Sequence, residues 1–265
     1  MDLGLTGKRA LVTAASQGLG RAIATELARE GCKVVISSRR EDKLQEVAKE
    51  ICQIAGAAPG SVAGIAADVT KAEDIRQLVQ RANDVLGGID ILVTNAGGPP
   101  AGTFDKMTDE MWHDAFQLNM MSVVRLIRET LPIMRNQGGG RILNVSSSSV
   151  KQPIPNLMLS NAIRTGTMAM LKTLAAEVAP ENIQVHNLAP GRIFTERVKS
   201  LDQIQAEREG VDVESIKTQE EARIPMRRYG QPEEFGRVAA FLLSSANSYM
   251  TGQTVYVDGG SVRSL

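Results

Sequence analysis

Aromatic residues make up only 3% of this 265-residue sequence, with five Phe, three Tyr and one Trp. Two cysteines, Cys32 and Cys52, are too few for a disulfide scaffold and lack metal-ligand spacing, so both read as structural thiols. Two histidines, His113 and His186, exclude a multi-histidine metal centre, and no metal is expected. Neither sign of charge is in excess: 30 Lys and Arg balance 30 Asp and Glu. That balance argues against a nucleic-acid binder, which would carry a basic stripe. The apolar runs fall far short of the roughly 20 residues that a membrane-spanning helix needs. The opening MDLGLTGKRALV lacks a basic-then-apolar leader and runs straight into a strand-like segment, which predicts a cytoplasmic protein.

What is present is a regular alternation. Short runs rich in Val, Ile and Leu at 9–13, 33–37, 62–67, 90–94, 141–145, 183–188 and 254–257 read as strands. Helix-length segments at 18–30, 41–55, 71–85, 108–136, 157–179 and 232–244 lie between them. Continuous apolar strands separated by amphipathic helices predict an α/β fold, a seven-stranded doubly wound parallel sheet with helices on both faces. No shift of composition divides residues 1–265, so a single domain is expected. Residues 194–225 break the rhythm: they are charged, helix-prone and contain no strand. Following a strand end, where open α/β sheets bind ligands, they read as a helical substrate lid, with a solvated surface helix pair as the alternative.

The first strand leads into Thr13, Ala14, Ala15, Ser16, Gln17, Gly18, Leu19 and Gly20, then a helix. Glycines there admit a phosphate close to the backbone, and the helix N-terminus offers oriented N–H groups. Asp68 and Val69 close the third strand, where a carboxylate can meet an adenine amino group, and Asn95, Ala96 and Gly97 close the fourth. The second strand ends in Ser37, Ser38, Arg39 and Arg40. A carboxylate at that point would bind the ribose diol of NAD, whereas a hydroxyl and two guanidiniums suit a 2′-phosphate. NADP(H) is therefore the expected cofactor and NAD(H) the less favoured one; arginines that merely begin a surface helix are the alternative.

With Asn119, the serine run 146–149, Asn187-Leu188-Ala189-Pro190-Gly191, Thr195 and the closing Gly252-Gln253 through Asp258-Gly259-Gly260, these motifs resemble the short-chain dehydrogenase/reductase family. The 3-oxoacyl carrier-protein reductase-like members are the most similar, and the resemblance covers essentially the whole chain. It implies a Rossmann fold, with Pro190, Gly191, Ile193 and Thr195 as further cofactor contacts. Ala14 stands where the family turn has its first glycine. The family transfers hydride between a nicotinamide and a carbonyl or alcohol carbon. A serine positions the oxygen, a tyrosine moves the proton, a lysine four residues later assists it and holds the nicotinamide ribose, and an asparagine supports a water relay. On this sequence the serine falls on Ser147 and the asparagine on Asn119, but the tyrosine and lysine positions hold Ser160 and Arg164.

No shift of register supplies the phenol, because Tyr229, Tyr249 and Tyr256 all lie at least 65 residues beyond Arg164. A serine hydroxyl is a far poorer acid than a phenol of pKa about 10. Arg164 stays charged, so it can orient a ribose and stabilise an oxyanion but not shuttle a proton. Loss of a positioned general acid costs roughly 10²–10⁴ in rate. Three readings follow. One is an NADPH-dependent reductase with altered chemistry, adding hydride to a conjugated enone or to a carbonyl through Asn119, Ser147, Ser160 and Arg164. The second is ordinary 3-oxoacyl or ketone reduction, and the third a catalytically silent nucleotide-binding protein. The resemblance further implies a small-molecule substrate and a homotetramer or homodimer.

Overall fold

The structure, a computed structural model, describes residues 2–264. The strands are β1 (Arg9–Val12), β2 (Lys33–Ser38), β3 (Val62–Ala66), β4 (Ile91–Thr94), β5 (Gly140–Val145), β6 (Ile183–Pro190) and β7 (Thr254–Val257). They form one parallel sheet in the order β3-β2-β1-β4-β5-β6-β7. The helices are α1 (Gly18–Arg29), α2 (Glu41–Ala55), α3 (Ala72–Leu86), α4 (Asp109–Phe116), α5 (Ser122–Asn136), α6 (Met158–Val178), α7 (Glu196–Glu209), α8 (Val213–Arg223) and α9 (Pro232–Leu243).

Alternate side chains of each strand enter opposite cores, which is why the strands are apolar on both faces. Ala10 and Val12 pack with Ile23, Leu27, Leu44, Ile51 and Phe235 of α1, α2 and α9. Leu11, between them, packs with Ile75, Leu78, Leu126, Ile127 and Leu171 of α3, α5 and α6. The strand order reverses between β1 and β4, so the connections leaving their carboxyl ends diverge and open a crevice. A buried polar ladder fixes the neighbouring strand ends. Thr94 Oγ1 donates to Asn144 Oδ1 at 3.0 Å, and Asn144 Nδ2 donates to Asn187 Oδ1 at 2.9 Å.

One element departs from its sequence pattern. The span 108–136 reads as a single helix, yet α4 and α5 are joined by a π-turn at Gln117–Met121. The extra residue in that turn rotates Asn119 inward, and its Nδ2 donates to the Gly97 carbonyl at 2.9 Å. β6 also runs two residues past its expected end, because 187–190 pair with β7.

At the β1–α1 junction Ala14 adopts φ +47°, in the left-handed region that glycine favours. Its carbonyl accepts from Asn95 Nδ2 at 3.2 Å, and the Ala15 N–H donates to Ser37 O at 3.0 Å, so the turn is held at this angle from both sides. Left-handed backbone costs an L-residue roughly 1–2 kcal/mol, and glycine's unfolded-chain freedom offsets about 0.4–1 kcal/mol of any relief. Ala14→Gly is therefore expected to stabilise the fold by about 0.5–1 kcal/mol in urea denaturation; a loss of stability would show that the turn is unstrained.

Candidate active site

The crevice at the carboxyl ends of the strands is a cavity of about 1950 Å³. Ordinary small-molecule pockets occupy roughly 300–1,000 Å³, so there is room for a dinucleotide and a second ligand together. Its wall includes Ser16, Gln17, Gly18 and Leu19 of the β1–α1 turn, with Ser38, Arg39 and Arg40 beyond β2. Asp68 and Val69 follow β3, and Asn95, Ala96 and Gly97 follow β4. Pro190, Gly191, Ile193 and Thr195 after β6 complete that half.

Thr13, Ala15 and Gly20 are not in the wall; they build the turn behind it. Thr13 Oγ1 donates to Asn95 O at 2.8 Å and accepts from the Asn95 N–H at 2.9 Å. A Cβ on Gly20 would lie 2.5 Å from the Ala14 carbonyl oxygen and 2.7 Å from Asn95 Nδ2, so only glycine lets α1 pack against the turn.

These residues fit a phosphorylated dinucleotide on their own chemistry. No side chain caps the start of α1, so its first N–H groups are left for a ligand. Gly97 has open space where a Cβ would stand. Arg39 and Arg40 form no ion pair among the described residues. Burial alone would raise the Asp68 carboxyl, but hydrogen bonds from Thr70 and the charges of Arg39 and Lys71 hold it below its ordinary value. It stays an anionic acceptor at neutral pH.

Ser147, Ser160 and Arg164 line the same cavity. Ser147 caps a short turn, its Oγ accepting from the Ser149 N–H at 3.2 Å, which leaves its own proton free to donate. Ser160 and Arg164 lie one turn apart on α6 and therefore share a face. Arg164 Nη1 donates to the Val145 carbonyl at 3.0 Å. Burial and the charge of Arg197 bring its pKa down to about 10, which keeps the guanidinium protonated at neutral pH. Asn119 is buried outside the wall. Its backbone carbonyl lies 3.0 Å from Thr167 Oγ1, whose single proton is also within reach of the Ile163 carbonyl at 2.9 Å.

No tyrosine lines the cavity. Tyr249 is fully exposed, and Tyr256 lies on β7. Tyr229 is buried and donates to Asp202 Oδ2 at 3.1 Å; burial and the Asp202 carboxylate push its phenol above the ordinary value.

Residues 194–225 carry α7 and α8, and one side of each faces the cavity through Arg197, Val198, Leu201, Glu220, Arg223 and Ile224. Arg197 was not legible as a site residue, because a cation near the start of a polar helix ordinarily faces water. A buried network holds both helices down. Arg192 pairs with Asp202 of α7 and, at 3.1 Å, with Glu220 of α8. Asp202 is 3% exposed, and burial raises its carboxyl even against Arg192 and Tyr229.

Comparison with known proteins decides the family. The profile described as Enoyl-(Acyl carrier protein) reductase matches residues 13–262. Dehydrogenase/reductase SDR family member 4 of Sus scrofa is 39% identical over 262 residues, 98% of this chain and 89% of that protein. The chain belongs to the short-chain dehydrogenase/reductase family. Among solved structures of this reductase fold, L-sorbose reductase from Gluconobacter frateurii, complexed with NADPH and L-sorbose, superposes with a TM-score of 0.93. It is 34% identical, with 100% of both chains covered. YwfH, an NADPH-dependent reductase involved in bacilysin biosynthesis, superposes with a TM-score of 0.91 at 31% identity, covering 97% of this chain and 100% of its own. This short-chain dehydrogenase/reductase has no helix long and apolar enough to cross a membrane among its described residues. Nor do those residues include a His, Cys, Asp and Glu cluster suited to a metal.

Asp202→Ala leaves Arg192 and Tyr229 without their shared acceptor. Arg192 keeps its pair with Glu220, so the cost is that of lost hydrogen bonds to a charged group, about 1.5–3 kcal/mol, and the loss is expected to fall on α7 and α8. Hydrogen exchange in 196–223 is expected to accelerate while the sheet keeps its protection; uniform loss across both would make the network a property of the whole core.

Proposed function

We propose that this chain is an NADP(H)-dependent reductase that adds hydride to the β-carbon of an enone, a carbon–carbon double bond conjugated to a carbonyl. The observation that carries this reading is the pairing of Ser160 and Arg164 in a cavity that no tyrosine reaches. Ser38, Arg39 and Arg40, with no carboxylate at that strand end, support NADP(H) over NAD(H). When bound, the reduced cofactor supplies the hydride.

Every other part of the step falls to the chain. Hydride addition to a ketone leaves an alkoxide, a strong base that demands a proton from a neighbouring acid. Addition to an enone pushes the π electrons onto the carbonyl oxygen instead. The resulting enolate is a much weaker base, and a solvent proton at its α-carbon later completes the saturated ketone. What the oxygen needs meanwhile is hydrogen-bond donors. Ser147, Ser160 and the N–H groups of Arg164 not spent on Val145 supply them, and a donor of this kind is worth roughly 10²–10³ in kcat. Asn119 acts as a positioning residue through Gly97. Residues 194–225 close over the reacting pair as a lid.

A second reading, carbonyl reduction, draws support from the likeness to L-sorbose reductase. The two separate in one assay, in which the protein and NADPH are offered benzylideneacetone, a simple ketone and a β-ketoacyl thioester while the nicotinamide absorbance is followed. Turnover of benzylideneacetone alone is expected, with NADPH preferred to NADH. Ser160→Tyr/Arg164→Lys is expected to bring ketone reduction up by roughly 10² or more. Turnover of the ketoester by the unmodified protein favours the second reading, and binding of NADPH with no reduction of any substrate removes both.

A further inference from the structure

We propose that the substrate carries a carboxylate, which docks between Arg197 of the helical segment and Arg164 of α6; the assignment rests on the reading of this cavity as the reductase site.

Arg164 and Arg197 both line this cavity, and neither forms an ion pair among the described residues. Arg164 donates to the Val145 carbonyl at 3.0 Å and Arg197 Nη2 to the Pro99 carbonyl at 2.9 Å, both of them neutral acceptors. The other cations around the segment are paired: Arg192 with Asp202 and Glu220, Lys199 with Glu196, Arg208 with Glu209, Lys217 with Glu214, and Arg223 with Glu220. Of the cations named here that line the cavity, Arg192 and Arg223 are paired and Arg197 is not. Room has been made for it at Gly98, where a Cβ would lie 3.0–3.2 Å from Nη2, Nε and Cζ of Arg197. The absence of a side chain at 98 lets the guanidinium lie against the backbone.

Like charges in a partly desolvated space repel, and an anion between them removes that cost. The repulsion is already felt, since the charge of Arg197 helps to lower the pKa of Arg164. Serine hydroxyls and a neutral carbonyl substrate offset neither positive charge; a carboxylate offsets one and attracts both, and a planar guanidinium meets it with two parallel hydrogen bonds. The nearby wall of Ile154, Leu157, Val198 and Leu201 is apolar. A ligand with one anionic end and an apolar body matches both features. The competing source of negative charge is the cofactor's own diphosphate, whose expected partners are the α1 N-terminus and the β1–α1 turn.

Benzylidenepyruvate and benzylideneacetone share one enone and differ only in a carboxylate against a methyl group. Their equilibrium binding to the protein–NADP⁺ complex, where no hydride is available, reads the carboxylate directly. The carboxylate ligand is expected to bind at least about 10-fold tighter, as one to two charged hydrogen bonds imply. Arg197→Gln is expected to reduce that preference to about threefold or less with the dissociation constant for NADPH unchanged, and Arg197→Lys to keep part of it. Equal affinity of the two ligands for the unmodified complex overturns the proposal. So does an Arg197→Gln protein that loses NADPH affinity, which assigns Arg197 to the cofactor. A carboxylate preference without reduction of either enone by NADPH would uphold the docking site and defeat the reductase reading instead.

Discussion

A guanidinium does not surrender its proton at neutral pH, and Arg164 lines the cavity with only a backbone carbonyl as partner. Much of the chemistry open to this fold follows from that fixed charge. It can hold a sugar, neutralise an oxyanion or bind a carboxylate, but it cannot pass a proton along. The hydroxyls beside it, Ser147 and Ser160, donate hydrogen bonds and are poor acids. Donors are plentiful in this site and acids are scarce.

The same economy of ionisable groups explains what became of the tyrosines. Tyr229 is spent on Asp202, where with Arg192 and Glu220 it ties the two-helix segment to the loops that follow β6. The segment consequently has a polar anchor at its base and a mixed side facing the cavity, with Val198 and Leu201 beside the unpaired Arg197. Arg197 reaches inward from that side and packs against Gly98, so the position of α7 and the electrostatics of the substrate space are coupled.

The sheet was legible because parallel strands buried on both faces leave short apolar runs such as Ile91-Leu92-Val93, bounded by turn residues and alternating with helix-length segments. The glycine turn between β1 and α1 was legible because Gly18 and Gly20 answer to local geometry. Residues whose role depends on tertiary contact were harder to read. The π-turn at Gln117–Met121 leaves no mark in hydrophobic spacing, since α4 and α5 keep their apolar faces on either side of it. Asn119 belongs to the site only through Gly97, not as part of the cavity wall. Arg197 looks like any surface cation until the fold brings it beside Gly98 and Arg164.

The origin of the second proton tests the central claim, a site that stabilises an oxyanion and places no acid. Reduction of the α-methyl enone 3-methyl-4-phenyl-3-buten-2-one with NADPH in D₂O, followed by chiral analysis of the product, reports it. Deuterium at the α-carbon without enantiomeric excess is the outcome this account requires, because the enolate takes its proton from solvent. A single α-configuration would mean that the proton reaches one face of an enolate still held in the cavity, and would contradict it.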